Sequence, residues 1–291
     1  MDLRAVLMGL AFAAMWSSAF TAARFLVQEA PPLLTLTARF LLSGLIAIGI
    51  AAALGQRLRL DAAQWRATLV FGLCQNALYL GLFFVAMQTV EASLAAIIAA
   101  SMPLMVALIG RTVLGHGLKP LAIAGLVTGF AGVATILGGR VGGTGADPLG
   151  IGLCIIGTLA LAVATLTVRG AVSGGNVLMI VGVQMLVGAA ALVGPALVLE
   201  TPHVAVTPAM AAAFVYLTLV PGLAATWVWF RLVERIGAVR AAAFHFLNPG
   251  FGVAIAALAL GEQLRALDVV GVAVVMAGIL AVQLARQRPP S

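Results

Sequence analysis

The side chains able to do chemistry in this sequence are few, and they stand among apolar residues. Asn76 and Tyr79 lie three apart, with Phe83 four further on, a spacing that puts an amide, a phenol and an aromatic ring on one helix face. Such a face suits an amphipathic small molecule: donors and acceptors for its head, a ring for its body. His245 and Asn248 share a face in the same way, and Pro249 removes a backbone N–H from that helix. This pattern predicts carbonyls freed near Pro249 that would take an ammonium group, and makes His245 the candidate for proton coupling. Ser101, two residues before Pro103, occupies the corresponding place earlier in the chain, where a hydroxyl can bond back to the i−4 carbonyl. Trp16, Ser17, Trp227 and Trp229 are further candidates for a cavity wall, with a belt at a membrane surface as the bland role for a tryptophan. The expected substrate-binding set is therefore Trp16, Ser17, Asn76, Tyr79, Phe83, Ser101, Trp227, His245 and Asn248.

No catalytic or metal-binding group is expected. Ser101 and His245 are a conceivable nucleophile and base of an intramembrane serine hydrolase, but Ser101 lacks the surrounding glycines that expose such a nucleophile, and no oxyanion-hole donor can be named. Cys74 and Cys154 fall inside apolar stretches without metal-ligand spacing. No phosphate-binding loop is present, so neither a cofactor nor ATP is expected.

The elements that position these residues follow from composition. Of 291 residues, 63% are hydrophobic and 9% charged, where a soluble domain carries about a quarter charged. A lipid bilayer is then the partner of most of the surface. The net charge of +7 is carried by scattered Lys and Arg with no basic run, which excludes a nucleic-acid face. At about 20 apolar residues per crossing, the chain divides into ten spans: Ala5–Leu26, Leu33–Leu54, Trp65–Gln88, Ser93–Leu114, Leu121–Gly138, Leu149–Arg169, Val177–Leu199, Ala209–Val233, Val239–Leu260 and Leu267–Leu284. The first opens after Arg4 and is too long for a cleavable signal. Breaks fall at Pro31-Pro32, Gly142 to Pro148, Gly174-Gly175-Asn176 and Pro202 to Pro208.

Placing both termini in the cytoplasm puts Arg4, Arg57, Arg59, Arg66, Arg111, Lys119, Arg169, Arg231, Arg235, Arg240, Arg286 and Arg288 inside. It leaves only Arg24, Arg140 and Arg265 outside, with most of the acids. Arg39 sits about 9 Å inside the second span, where snorkelling or a carbonyl contact is favoured over a substrate carboxylate. Glu234 with Arg231 and Arg235 reads as an interfacial ion cluster. Gly125 and Gly129 form a close-packing motif that leaves monomer and homodimer open.

Shifted by 146 residues, the chain aligns with itself without a gap: Pro103 falls on Pro249, Gly115 on Gly261, Gly125 on Gly271 and Gly132 on Gly278. Five spans per half is odd, so the second half enters from the other side, and inverted repeats are the mark of secondary transporters.

Specific stretches carry a resemblance. Met15-Trp16-Ser17-Ser18-Ala19-Phe20, Leu36-Thr37-Ala38-Arg39-Phe40, Phe83-Phe84-Val85-Ala86-Met87-Gln88 and Leu260-Gly261-Glu262-Gln263-Leu264 resemble the EamA family of the drug/metabolite transporter superfamily. Gly115-His116 departs from the pattern where the second half has Gly261-Glu262. The resemblance implies an all-α membrane protein of two inverted five-helix repeats, residues 1–140 and 145–291, in a bacterial inner membrane. It further implies an exporter of small metabolites, with YddG-type amino acid exporters the most similar branch and multidrug or other metabolite export the alternative.

Overall fold

A computed structural model describes residues 2–140, 147–168, 176–201 and 206–287. Among these residues ten helices are long and apolar enough to cross a membrane. They are α1 (Leu3–Glu29), α2 (Pro32–Ala53), α3 (Ala62–Ala86), α4 (Ala92–Thr112), α5 (Pro120–Arg140), α6 (Pro148–Thr167), α7 (Val177–Leu199), α8 (Pro208–Val233), α9 (Arg240–Leu260) and α10 (Ala266–Ala285). The sequence boundaries start one residue late at Pro32, Pro120, Pro148 and Pro208. Proline is favoured at the first helical position because the N–H it lacks would have no partner there. Residues 142–145, Arg169, Gly174-Gly175, Pro202 and Arg288, used above as breaks or charge markers, lie outside the described residues.

An even number of crossings puts both ends of the chain at one face, called here the terminal face. The helices pair as two five-helix units of opposite orientation should. The closest pairings are α5 with α10 and α2 with α7, and α4 meets α9. Helix ends are capped across the repeats. Glu200, just after α7, accepts from Leu33 N and Leu34 N at 2.8 Å each, and Gln56, just after α2, accepts from Met179 N at 3.1 Å.

Four interruptions of the helices also follow the repeat. π-helical segments occupy Gly72–Leu80 of α3 and Thr218–Ala224 of α8, beginning 146 residues apart. Pro221 accounts for the second: it cannot donate to the Leu217 carbonyl, and the turn widens. α4 breaks at Ser101 and α9 passes through a 3₁₀ turn at Phe244–Leu247, each just ahead of Pro103 or Pro249. These are the places where π and 3₁₀ geometry re-aims side chains, and they surround the centre of the molecule.

The α5–α10 seam is made of backbone. A methyl group on Gly278 would lie 2.5 Å from Gly129 Cα and 2.7 Å from Gly125 O, and one on Gly132 would lie 2.8 Å from Val275 N. In lipid, helices associate through such close contact rather than through exclusion of water. The Gly125 and Gly129 motif is therefore used within the chain. Gly278→Leu is expected to destabilise the protein by about 1–3 kcal/mol through overpacking. Gly194→Leu, where a side chain meets open space, should leave the thermal midpoint in detergent unchanged.

Candidate functional site

A cavity of about 1010 Å³ occupies the centre of the bundle, at the upper end of the roughly 300–1,000 Å³ range of small-molecule sites. It runs to the terminal face, where Gln64, His116, Gly117, Thr165 and Val177 line it. Its walls come from α1, α3 and α4 and from their repeat counterparts α6, α8 and α9. Arg39 and Phe40 of α2, Gln184 of α7 and Gln283 of α10 also reach it. The reach of α7 is explained by glycine: a Cβ on Gly72 would lie 2.8 Å from Gln184 O, so α3 and α7 touch directly.

Two aromatic groups wall the cavity, joined by one stripe of α1. Phe12, Trp16 and Phe20 stand four apart on that helix. Toward the opposite face, Phe20 lies 6.0 Å from Phe83, which lies 4.7 Å from Tyr79. Toward the terminal face, Phe12 lies 4.8 Å from Trp229 and 5.2 Å from His245, and Trp229 meets His245 edge-on at 4.9 Å. Such rings offer an apolar slot with polar edges.

Six of the nine expected residues come together on this wall: Trp16, Asn76, Tyr79, Phe83, His245 and Asn248. Asn76 donates from Nδ2 to Gln184 O at 2.8 Å, tying α3 to α7. His245 Nδ1 lies 3.2 Å from Ala242 O; a carbonyl can only accept, so Nδ1 carries a proton and Nε2 is the acceptor of the neutral ring.

Three expected residues stand elsewhere. Trp227 is 62% exposed on the outer surface of α8 beneath Arg231, and Trp229, two residues on, takes the cavity position. A two-residue step turns a helix by about 200°, so the two indoles face opposite ways. Ser17 is packed between helices and donates to Asn248 O at 3.1 Å. Ser101 is buried off the wall and donates to Ile98 O at 2.6 Å, an i−3 bond rather than i−4, because the helix is already broken there. With that proton committed, no bond joins Ser101 to His245. The freed carbonyls expected at Pro249 are also corrected: His245 O receives Asn248 N–H in the 3₁₀ turn. Arg39 does not snorkel; it is 7% exposed and donates from Nη2 to Leu217 O at 3.1 Å. Arg235 pairs with Asp2, with Nε 2.9 Å from Oδ2, and holds that carboxyl down at about 2. The Asp2 and Arg235 bond is thus intact above pH about 4 and lost as the pH falls through about 2. The Glu234 side chain lies outside the described residues.

The face opposite the termini is shut by charges that the sequence offered only as orientation markers. Glu262 accepts from Ala92 N at 2.7 Å and Ser93 N at 3.0 Å, capping α4 from the α9–α10 loop. Arg140, at the end of α5, bridges Glu91 and Asp268; its Nη2 is 2.9 Å from Asp268 Oδ2 and its Nε 3.1 Å from Oδ1. Arg24 donates to Met87 O, binding α1 to the end of α3. The available signal was the position of these residues: each lies within a few residues of a span end, where helix amides and carbonyls lack partners. The terminal face does not repeat the set. His116, Gly237 and Ala122 stand 146 residues from Glu262, Glu91 and Asp268. With Cys74 and Cys154 replaced by alanine, a cysteine at Thr165 should react with an impermeant thiol reagent at the terminal face. A cysteine at Ser93, beneath the latch, should be protected; reaction at Ser93 with protection at Thr165 would reverse this description.

Three comparisons bear on identity. A crystal structure of a protein 22% identical in sequence matches over 99% of both chains with a TM-score of 0.68, a likeness of fold. The uncharacterized inner membrane transporter YedA of Escherichia coli strain K12 is 25% identical over 283 residues, 95% of this chain and 89% of that one. The uncharacterized transporter YvbV of Bacillus subtilis strain 168 is 30% identical over 129 residues, which span 44% of this chain and 42% of YvbV. The pattern of the EamA-like transporter family matches residues 3–138 and again 148–284, one match per five-helix unit. The chain belongs to the EamA-like transporter family, multi-pass membrane transporters of small molecules.

Proposed function

We propose that this protein is a secondary transporter that exports amphipathic metabolites, amino acids foremost, across a bacterial inner membrane by alternating access. In this reading the terminal face is cytoplasmic. The observation that carries it is one central cavity between inverted repeats, open at the terminal face and latched at the other. An apolar, aromatic wall with a few polar groups fits an amino acid with a hydrophobic side chain better than an ion or a nucleotide sugar, which would require several fixed charges.

Asymmetry between the latches supports the direction of rest. Glu262 caps α4 with two carboxylate oxygens, whereas its repeat partner His116 has one ring acceptor to offer α9 when the molecule opens the other way. The state with the outer face closed is therefore the more stable, ready to load from the cytoplasm. His245, bound to Ala242 O and facing the cavity through its other nitrogen, is the group we assign to proton coupling.

Counterflow in proteoliposomes with labelled amino acids, with and without a pH gradient, tests the proposal. Tyr79→Ala, His245→Ala and Trp229→Ala should each lower exchange by roughly tenfold, the loss of a contact worth about 1.4 kcal/mol, while Trp227→Ala should not. Glu262→Gln replaces one acceptor with an amide donor facing an N–H, and should raise the reactivity of a cysteine at Ser93. Exchange of no labelled solute would defeat the carrier reading.

A further inference from the structure

The cavity contains a charge that nothing among the described residues neutralises. Arg39 lines it while only 7% exposed. Among the described residues its one hydrogen bond is from Nη2 to the Leu217 carbonyl, and its Nε has no partner. Phe40 covers one side of the guanidinium at 5.5 Å. Among the described residues no Asp, Glu or Lys lines the cavity, and the other titratable groups there, His116, His245 and Tyr79, supply no anion at neutral pH.

Arginine stays protonated, so it cannot relieve burial by losing its charge. An isolated buried cation is costly unless it meets a counter-ion and fills its hydrogen-bonding sites. Four acids at the face opposite the termini are committed elsewhere: Glu91 and Asp268 to Arg140, Glu262 and Glu200 to helix amides. The missing partner must come from the occupant. The guanidinium fork matches a carboxylate, which accepts two parallel N–H bonds.

A second orphan lies beside the same cavity. Asn248 lines the cavity while only 7% exposed, and its Oδ1, buried beside the cavity, has no partner. A bound molecule with an N–H donor besides its carboxylate would satisfy both.

Resting on the transporter reading, we infer that Arg39 is the carboxylate-binding residue of the cavity. The substrates are thus amphipathic carboxylates that also carry an N–H donor, not amines or neutral drugs. The Leu217 carbonyl, left without its usual α-helical donor by Pro221, holds the guanidinium in place through Nη2, leaving the rest of the guanidinium for the substrate.

The test uses the full chain in proteoliposomes exchanging labelled L-phenylalanine. Unlabelled L-phenylalanine should compete, whereas L-phenylalaninamide and phenethylamine, which lack the carboxylate, should compete about 10- to 100-fold more weakly, as expected for a lost charged hydrogen bond. Arg39→Gln keeps a donor for Leu217 O but removes the charge; it should bring the three competitors within a few-fold of one another while the thermal midpoint is kept. Arg39→Lys, with charge but no fork, should fall between. If Arg39→Gln does not fold, the wild-type competition series still decides. Equal competition by acid, amide and amine in the wild type overturns the assignment of Arg39 and leaves the carrier standing, as does unchanged discrimination in Arg39→Gln. With the acid, amide and amine each labelled in turn, exchange of none of them overturns the carrier reading and this inference together.

Discussion

In hydrocarbon no water is available to a backbone N–H or C=O, so each one that a helix leaves unpaired must be answered from within the chain. The polar side chains of this protein are largely devoted to that requirement. Glu262 and Glu200 answer the first amides of α4 and α2, and Gln56 those of α7. Ser101, Asn76, Ser17 and His245 each bond to a main-chain carbonyl at or near a break or a π segment. Arg39 meets the carbonyl that Pro221 leaves without its α-helical donor. The helix breaks that shape a central cavity and the polar groups that line it are thus one phenomenon: irregular backbone placed where it faces a cavity or packed protein rather than lipid.

The inverted repeat imposes this pattern twice and the sequence breaks it once. The π segments, the breaks before Pro103 and Pro249, and the glycines of the α5–α10 seam recur at one offset. The closing charges do not. An identical pair of latches would give two conformations of equal energy; replacing Glu262 by His116, Glu91 by Gly237 and Asp268 by Ala122 in the other half removes that equality. In the proposed cycle the occupant of the cavity then has to supply the difference through contacts made better in the second state.

Much of this was legible in the residues. The ten spans follow from hydropathy and proline, and the repeat from coincident Pro and Gly, because both are set by the bilayer and by local backbone chemistry. Asn76, Tyr79 and Phe83 could be assigned to one face because helical spacing fixes direction even through a π segment. Trp227 could not be separated from Trp229, since the amphipathic phase of α8 depends on the widened turn before it. The orphan state of Arg39 was illegible for another reason: whether a buried cation has a partner depends on residues more than a hundred positions away. The latch residues looked like orientation markers because a span-end acid reads the same whether it faces water or caps a neighbouring helix.

Spin labels at Gln88 and Gln263, on the latched face, and at Arg111 and Arg240, on the terminal face, test the reciprocal motion on which the account rests. Double electron–electron resonance in nanodiscs, recorded without solute and with saturating L-phenylalanine, should show the first distance lengthen in the same fraction of molecules in which the second shortens. Two distances that stay fixed, or that lengthen together, would contradict it.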